Sequence, residues 1–405
     1  MTRVTFPSSS PRRIRQSNAV ATLNALHRFG PLSRAELARH MGVNRSSAGN
    51  IVLELVEAGL VREVPENEAA NSAAQPRAGR PGILVELVPD AVFFVGIEIG
   101  VEHITCVEID LAGKIVRSST RRFEGRNSGP EEAVRTAIDQ AFSEIGKDDL
   151  TRCQGLGITV PGQMDRNGFI HVAPILGWRN LDLPALTRTF LPAEVPVSAE
   201  NDANAFGIGT TYSQHEAANG VTFFMVIETG VGGGIVIDGK LFRGGNGLAG
   251  EVGHLKTRNS EYRNLEQAFG RDRILSSYRQ FDPDADLDAF LSDVRDRVPE
   301  AVQFAEEWSS LLAFAVVQIS RLIDPNRIVL GGSVAELYPL VAARVDAHIR
   351  DLQAATFPIP EIIFDENAAY GSAFGAACMM HQRFVSLDNQ LLNKDAVSDP
   401  GNSVA

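Results

Sequence analysis

The sequence has few cysteines, only two tryptophans and no long apolar segment. Its three cysteines, Cys106, Cys153 and Cys378, are odd in number and widely spaced, which argues against a disulfide framework and gives no metal-binding pattern. No apolar run is long enough to cross a bilayer, and the opening MTRVTFPSSSPRRIRQ lacks the apolar core of a signal peptide. We therefore expect a cytoplasmic protein that makes no membrane contact.

Positive charge is scarce over most of the chain and concentrated near its start. The net charge is −12, yet residues 1–64 carry nine Arg and four Glu, a balance of +5, which leaves −17 for the remainder. A basic start on an acidic chain suggests that only this end touches a polyanion, although a solvated basic tail would have the same composition. The length of 405 residues predicts two or three domains.

The first 60 residues show helical periodicity interrupted by two glycine turns. Apolar spacing predicts a helix over 17–29, which Gly30-Pro31 ends. The S-R-A-E pattern beginning at Ser33 is a capping box that opens a second short helix. After the turn at Gly42, Asn44 can cap a third helix over about 45–58. Two helices joined by a short glycine turn predict a helix-turn-helix, whose second helix can enter the major groove of DNA.

The third helix is predicted to turn an apolar side inward, formed by Ile51, Val52, Leu55 and Val56. Its outward side carries Arg and short polar residues that can reach phosphates or base edges, namely Arg45, Ser46, Ser47 and Asn50. The alternative is a small structural bundle of three helices. The charge asymmetry and the order of the elements favour DNA binding.

Two β-rich runs after Gly59, LVREV and ILVELV, predict the hairpin of a β-wing. The segment 65–82 between them is polar and rich in Ala, Gly and Pro, which predicts a mobile wing and linker. Its Arg77 and Arg80 could contact an A·T-rich minor groove, and a plain linker is the equally open alternative. Together these patterns predict a winged helix-turn-helix DNA-binding domain over 1–88.

From about residue 91, β-rich runs alternate with helical patterns, which indicates an α/β body with mixed sheets. FFVGIEIGVEHITCVEID begins a β-meander, and the same plan recurs at VTFFMVIETGVGGGIVIDGKLF. Further helices are predicted over 130–146, 263–279 and 300–322. The repetition predicts a duplicated, actin-like or hexokinase-type (ribonuclease H-like) body with two lobes facing a cleft. We place the lobes at residues 89–200 and 201–385, followed by a disordered tail at 386–405.

Four stretches carry a resemblance to a known family: AENDANAFG (199–207), ETGVGGGIVIDG (228–239), GGNGLAGEVGHL (244–255) and IVLGGSV (328–334). In this order they span most of the body, and the chain resembles the ROK family (repressors, open reading frames, kinases). More narrowly, it resembles the regulator subgroup that carries a fused DNA-binding head. The resemblance implies a sugar-kinase-like body with a sugar site beside an ATP site.

The resemblance implies five sugar-binding residues: Asn201, Asp202, Glu251, His254 and Glu266, the last in N-L-E where the family has C-L-E. Planar polar groups of this kind satisfy sugar hydroxyls in a closed cleft. Asp202 matches the catalytic base of the family kinases, but the same carboxylate can accept a hydroxyl hydrogen bond without catalysis. Taken singly, each residue could be an ordinary loop, cap or core residue.

The phosphate-binding motifs of the family kinases are altered in this chain. The D-x-G-x-T hairpin reads Glu98-Ile-Gly100-Val-Glu102, and the G-T-G-x-G-G-G loop begins Glu228-Thr229-Gly230. Two unit charges about 4 Å apart repel by roughly 4 kcal/mol at an effective dielectric near 20, so added carboxylates oppose polyphosphate. We therefore expect a degenerate nucleotide site, which also includes Gly331 and Gly332, and no kinase activity.

Many ROK proteins pair the histidine of their G-H motif with a C-x-C-G-x-x-G-C zinc cluster. The matching stretch here, KTRNSEYRNLE, has no cysteine, so neither zinc nor another cofactor is expected.

The combined reading is a sugar-responsive transcription regulator, most simply a repressor of carbohydrate genes. Its expected partners are operator DNA, a monosaccharide or sugar-phosphate effector, and further copies of itself in a homodimer or homotetramer. Two alternatives stay open, an ATP-dependent sugar kinase with a regulatory DNA-binding head and a carbohydrate sensor that acts through protein partners.

Overall fold

The computed structural model describes residues 11–65, 83–146, 148–213, 219–257, 262–353, 356–365 and 370–386. The predicted linker with Arg77 and Arg80, and the tail from residue 387 onward, lie outside these ranges. Among the described helices, none combines the length and the apolar character needed to cross a membrane.

The part of the chain that the structure describes first, residues 11–65 and 83–87, forms a head of three helices and a three-stranded sheet. The elements are α1 (Pro11–Phe29), β1 (Leu32–Ser33), α2 (Arg34–Met41), α3 (Arg45–Glu57), β2 (Val61–Pro65) and β3 (Ile83–Leu87). Both predicted caps are present: Ser33 and Glu36 form the capping box, and Asn44 Oδ1 accepts a hydrogen bond from Ser47 N at 2.8 Å. The sheet order is β1-β3-β2, which places the wing hairpin β2–β3 directly after α3. The predicted winged helix-turn-helix is confirmed.

One apolar core holds the head together. It contains Leu26 of α1, Val52 of α3 and Val85 of the wing, and it also takes in Val385 from the far end of the described chain. The prediction that Val56 turns inward is wrong, because its side chain is 38% exposed. The buried positions of α3 are Ala48, Ile51, Val52 and Leu55.

The body contains two five-stranded mixed sheets. The first is built from β4 (Phe93–Ile99), β5 (His103–Asp110), β6 (Ile115–Arg122), β7 (Cys153–Val160) and β11 (Val197–Asn201). The second is built from β12 (Val221–Ile227), β13 (Val231–Ile237), β14 (Lys240–Leu241), β15 (Arg327–Gly331) and β16 (Glu361–Phe364). A small sheet of β8 (Gln163–Met164), β9 (Phe169–Ala173) and β10 (Trp178–Asp182) lies between β7 and β11 in the chain.

The two large sheets share one topology. Their strand orders are β11-β7-β4-β5-β6 and β14-β13-β12-β15-β16, so in each sheet an antiparallel meander is extended by two parallel strands. The parallel strands join the first strand of the meander, β4 in one sheet and β12 in the other. The predicted fold class, a winged helix-turn-helix followed by a ROK sugar-kinase-like α/β body with mixed sheets, is confirmed.

Helices connect and cover the two sheets. They are α4 (Pro130–Phe142), α5 (Leu183–Arg188), α6 (Asp202–Ser213), α7 (Leu265–Phe269), α8 (Arg271–Tyr278), α9 (Leu287–Arg295), α10 (Pro299–Ile323), α11 (Tyr338–Leu352) and α12 (Gly371–Phe384). The helix predicted over 263–279 is in fact two helices, because the backbone of Gly270 is extended at φ −68° and ψ 169°. A Cβ atom at Gly270 would lie 2.8 Å from the carbonyl oxygen of Glu266.

Helices α6 and α12 occupy equivalent places in the two repeats, each after the last strand of its sheet, and each packs on the other sheet. A Cβ at Gly96 of β4 would overlap the carbonyl oxygen of Ala373 in α12. Likewise, a Cβ at Gly234 of β13 would lie 2.9 Å from the carbonyl oxygen of Ala203 in α6. The predicted lobe limits at 89–200 and 201–385 stay a prediction, and this exchange of helices ties the two lobes together.

Candidate functional site

Asn201 and Asp202 stand at the junction of a strand and a helix, because β11 ends at Asn201 and α6 begins at Asp202. Asn201 Nδ2 donates to the carbonyl oxygen of Gly162 at 3.2 Å, and its Oδ1 accepts from Asn204 N at 3.1 Å. Asp202 Oδ1 accepts from Ala203 N at 2.9 Å. The amide of Asn201 thus links the start of α6 to the backbone at Gly162, and Asp202 is the first residue of α6.

Asp202 lies in an unusual electrostatic setting. Burial raises its pKa to about 7, and the nearby carboxylates of Glu98 and Glu251 act in the same direction, against the hydrogen bond from Ala203 N. An acid poised near neutral pH can either accept or donate a hydrogen bond to a hydroxyl group, as the chemistry of a sugar site requires.

Glu251, His254 and Glu266 come together on the second lobe. The carboxylate Oε2 of Glu251 lies 3.5 Å from Nε2 of His254, and these side chains are 35% and 50% exposed. Glu266, on α7, accepts a hydrogen bond from Val231 N at 3.2 Å. Burial raises the pKa of Glu251, and Glu266 adds to this while His254 opposes it. The structure therefore brings Asp202, Glu251, His254 and Glu266 around one part of the cleft.

Pattern reasoning missed His103, the first residue of β5. Its Nε2 lies 3.7 Å from Oε1 of Glu98. Burial acts to lower the pKa of His103, but the carboxylates of Glu98, Glu228 and Asp202 outweigh it and raise the pKa to about 9. A signal was available, because His103 and Glu98 follow the alternation that places both side chains on one face of the β4–β5 hairpin.

The two altered phosphate motifs form the β-hairpin turns between β4 and β5 and between β12 and β13. Gly100 N donates to the carbonyl oxygen of His103 at 2.9 Å, and Glu228 N donates to that of Gly230 at 2.8 Å. A Cβ at Gly230 would lie 3.3 Å from Oε2 of Glu266, so the second hairpin approaches the sugar-binding candidates directly.

Glu102 is engaged by the opposite lobe. Its carboxylate forms an ion pair with the guanidinium of Arg271 and accepts a hydrogen bond from the hydroxyl of Thr229 at 3.3 Å. Glu102 belongs to the β4–β5 turn of the first lobe, whereas Thr229 and Arg271 belong to the second. The contact therefore bridges the cleft.

Glu228 is engaged by the loop after β15. Its Oε1 accepts from Ser333 N at 2.5 Å and its Oε2 accepts from Ser333 Oγ at 2.6 Å. Gly332 makes this approach possible, since its φ of +85° favours glycine and the carbonyl oxygen of Ile227 would lie 2.5 Å from a Cβ there. Gly331 is equally constrained, because a Cβ would lie 2.6 Å from the ring of Phe206.

These contacts give the acids Glu102 and Glu228 internal hydrogen-bond partners in addition to their charge. Backbone N–H groups of glycine turns, hydroxyl groups and a guanidinium are the donors that proteins use for phosphate. Here Ser333, Thr229 and Arg271 supply all three kinds, and carboxylates of the same chain accept from them. The sequence predicted that the added acids repel phosphate, and in the structure Glu102 and Glu228 also accept from donors of the chain itself.

The predicted DNA-contacting residues lie on the N-terminal half of α3. Arg45, Ser46 and Asn50 are exposed, and Ser47 is half-buried with its backbone N–H donated to the cap at Asn44. Within the described residues, no cluster of three or more His, Cys, Asp or Glu is arranged to hold a metal ion.

Comparison with known proteins gives two family matches. The ROK family model matches residues 94–383, and the MarR family model matches residues 16–69. The xylose repressor of Bacillus spizizenii is 25% identical over 351 residues, which cover 83% of this chain and 87% of that protein.

Two solved structures share the fold. A ROK family transcriptional regulator, described as a homolog of the Escherichia coli MLC protein, superposes with a TM-score of 0.73 at 20% identity and covers 94% of this chain and 99% of its own. A ROK family glucokinase from Streptomyces griseus, in complex with glucose and AMPPNP, has a TM-score of 0.63 at 22% identity over 72% of this chain and 99% of its own.

Proposed function

This chain belongs to the ROK family, and from that premise we propose that it is a sugar-responsive transcription regulator that binds a sugar in its cleft without phosphorylating it. The head would bind operator DNA through α3, and the cleft between the lobes would bind the effector. The name of the xylose repressor, which aligns with most of this chain, supports the regulatory role. The MarR match over the head supports the DNA-binding role.

One observation favours a regulator over a kinase: two parts of the cleft differ in how far their polar side chains are already hydrogen-bonded within the chain. We call Asn201, Asp202, Glu251, His254 and Glu266 the sugar half, and we call Glu98, Glu102, Glu228, Thr229 and Ser333 the phosphate half. In the sugar half, Glu251 and His254 remain a third to a half exposed. In the phosphate half, Glu102 and Glu228 accept from the hydroxyls of Thr229 and Ser333.

A nucleotide would have to displace these internal contacts. Its phosphates carry the same sign of charge as Glu98, Glu102 and Glu228, and they need donors that Glu102 and Glu228 already use. Phosphoryl transfer depends on donors that position the phosphates and neutralise their charge. Donors that already bind Glu102 and Glu228 can do neither. Asp202 then serves as a hydrogen-bond partner for a sugar hydroxyl.

The carboxylates around Asp202 also favour a free sugar over a sugar phosphate as the effector. The hydroxyl next to Asp202 would also lie near Glu98 and Glu251, since both carboxylates act on Asp202. A phosphate at that hydroxyl would bring two further negative charges among these acids, while His103 is already paired with Glu98. The proposed effector is therefore a sugar with a free hydroxyl at this position. Two copies of the chain reading a two-fold symmetric operator are the simplest assembly.

The direct test is DNA binding by the full chain. Fragments selected from random-sequence DNA should form a specific complex in a gel shift at moderate salt. Arg45→Ala should weaken this complex and reduce the salt dependence by about one counterion, whereas Arg188→Ala, an exposed arginine on α5, should not. Absence of a specific complex rejects the regulator. A specific complex that Arg45→Ala and Asn50→Ala leave unchanged rejects α3 as the reading helix.

The effector and the rival kinase activity are tested together. Thermal shift with glucose against glucose 6-phosphate, and with N-acetylglucosamine against its 6-phosphate, should show stabilisation by free sugars only. Xylose belongs in the same panel because of the name of the relative. ATP turnover on any of these sugars, measured by ADP release and lost in Asp202→Asn, would establish a kinase instead.

A further inference from the structure

The head meets the body at a cluster of rings that comes from three helices. His27 of α1 stacks on Tyr212 of α6, with ring centroids 5.0 Å apart and planes 21° apart. The ring of His381, in α12, lies 4.9 Å from that of His27 and 5.6 Å from that of Tyr212. We call His27, Tyr212 and His381 the junction cluster.

Hydrogen bonds fix the orientation of the junction cluster. His381 Nε2 lies 2.8 Å from the carbonyl oxygen of Leu111, which can only accept, so Nε2 carries the proton. Burial lowers the pKa of His381 to about 4, which keeps the ring neutral near pH 7. Its Nδ1 is then an acceptor, and the Tyr212 hydroxyl donates to it. A single directed chain therefore runs from Tyr212 through His381 to the β5–β6 turn.

Tyr212 and the sugar half share one helix. α6 begins at Asp202 and reaches Tyr212 ten residues later, a rise of about 15 Å. Between them the helix is almost wholly buried, with Ala203, Phe206 and Gly209 among its buried residues. A buried helix in a close-packed interior moves as a rigid element, so a displacement at Asp202 is carried to Tyr212.

α6 is also locked to α12. A Cβ at Gly375 of α12 would overlap the carbonyl oxygen of Ala205, and a Cβ at Gly209 would lie 3.0 Å from the backbone of Gly375. α12 ends beside Val385, whose side chain is part of the head core and whose carbonyl oxygen accepts from Asn24 Nδ2 at 3.2 Å. The helix pair thus contacts α1 at two separate points.

Inside the head, α1 packs on the reading helix. Leu23 and Leu26 of α1 share one core with Ile51 and Val52 of α3. A tilt of α1 relative to the body therefore changes the position of α3 and, in an assembly with two heads, the spacing of the two reading helices.

We infer that Tyr212 is the positioning residue through which the sugar half controls the DNA-binding head. The inference rests on the proposed function and specifies its regulation. A sugar bound between Asp202 on α6 and Glu251 on the second lobe favours one arrangement of α6. Tyr212 passes that preference to α1 through the stack on His27 and the hydrogen bond to His381. The control is reciprocal, so operator DNA changes sugar affinity by the same factor.

The test measures coupling in the full chain, with D-xylose, D-glucose and N-acetyl-D-glucosamine as probes and a fragment selected from random-sequence DNA by the wild type. The quantity is the ratio of the DNA dissociation constants with and without each sugar, typically about 5- to 150-fold in allosteric proteins. Tyr212→Phe removes only the hydroxyl, and Tyr212→Ala also removes the stack on His27. Tyr278→Phe is the matched control, because it removes a hydroxyl that donates to Asp293 at 2.6 Å in the second lobe.

We expect Tyr212→Phe to reduce the ratio, Tyr212→Ala to bring it within about twofold of unity, and Tyr278→Phe to leave it at the wild-type value. Calorimetry of sugar binding to each variant in the absence of DNA verifies that the cleft is intact. If Tyr212→Ala does not fold, Tyr212→Phe alone decides. A wild-type ratio of unity with every probe overturns the regulator and the inference together. A wild-type ratio above unity that both Tyr212 variants retain overturns only the role of Tyr212.

Discussion

The sugar half and the phosphate half of the cleft are lined by similar residues in different states. Both are rich in carboxylates: Asp202, Glu251 and Glu266 in the sugar half, and Glu98, Glu102 and Glu228 in the phosphate half. In the sugar half, the carboxylate of Glu251 and the ring of His254 are partly exposed and 3.5 Å apart. In the phosphate half, Glu228 accepts two hydrogen bonds from Ser333, and Glu102 is held by Arg271 and Thr229.

The difference is the physical basis of the proposal that the cleft binds a sugar and not a nucleotide. A polar group that awaits a ligand must keep access to water, since burying it without a partner is costly. A polar group that has an internal partner can be buried, and Glu98 and Thr229 are only 8% exposed, whereas the side chain of the ion-paired Glu102 is 40% exposed. In the proposed regulator, Glu102 and Glu228 take up donors that the phosphates of a nucleotide would need.

The largest change is expected from reopening the phosphate half. Glu102→Thr combined with Glu228→Gly restores the residues of the family kinases and frees Arg271, Thr229 and Ser333. An unpaired carboxylate repels a charge about 4 Å away by roughly 4 kcal/mol, or over a hundredfold in affinity. Glu102 is ion-paired with Arg271, so at that position the gain comes from the guanidinium that the substitution frees. Calorimetry with a magnesium–ATP analogue should show binding to the double variant and none to the wild type. The control is Glu144→Thr, which replaces an exposed glutamate. A folded double variant that does not bind the nucleotide analogue would contradict the role given to Glu102 and Glu228.

A pH-dependent change in stability is expected from Asp202→Asn. Burial raises the folded-state pKa of Asp202 to about 7 from an unfolded value near 4. Between these values the folded state holds a proton that the unfolded state has released, so wild-type stability falls as the pH rises through this window. Asn carries no charge that burial penalises. The free energy of unfolding of Asp202→Asn should therefore exceed that of the wild type by an amount that grows from about pH 5 to about pH 8, to at most about 4 kcal/mol.

Urea unfolding at the two pH values measures this difference. The control is Asp139→Asn, at an exposed position of α4, which should shift stability equally at both. An Asp202→Asn gain that does not depend on pH would show that the charge on Asp202 is not what burial penalises.

A smaller change is expected from Glu251→Ala in the sugar half. Loss of a charge-assisted hydrogen bond to a sugar hydroxyl costs about 1.5–3 kcal/mol, or roughly 10- to 150-fold in sugar affinity. Calorimetry with the sugar that stabilises the wild type most gives the affinity directly. Glu251→Gln keeps an acceptor and should lose less. Equal affinity in wild type and Glu251→Ala would remove Glu251 from the proposed site.

The head could be predicted from sequence because its structure is local. Ser33, Asn44 and the glycine turns act on residues three or four positions away, and the caps formed as expected. The exception was Val56, which helical spacing from Val52 placed inside. Val56 lies in the last turn of α3, which ends at Glu57, and the buried positions run instead from Ala48 to Leu55.

The phosphate half could be predicted only in part, because its contacts are distant in sequence. The unusual acids were recognisable at Glu98, Glu102 and Glu228. Their partners were not, since Ser333 is 105 residues from Glu228 and no periodicity links them. The pairing of Glu102 with Arg271 similarly depends on how the two lobes face each other. The assignment of Asn201, Asp202, Glu251, His254 and Glu266 to a sugar stays a prediction that the experiments above test.

The exchange of α6 and α12 imposes an order on biosynthesis. The first sheet is complete in sequence at Asn201, but Phe94 and Ile109 on its face are covered by Ala373, Ala377 and other residues of α12. A ribosome that adds 5–20 residues per second needs roughly 10–40 s to synthesise the intervening chain. During that interval the nascent first lobe displays an apolar sheet face that chaperones can hold. Val385 belongs to the core of the head, so that core is also complete only once α12 has been synthesised.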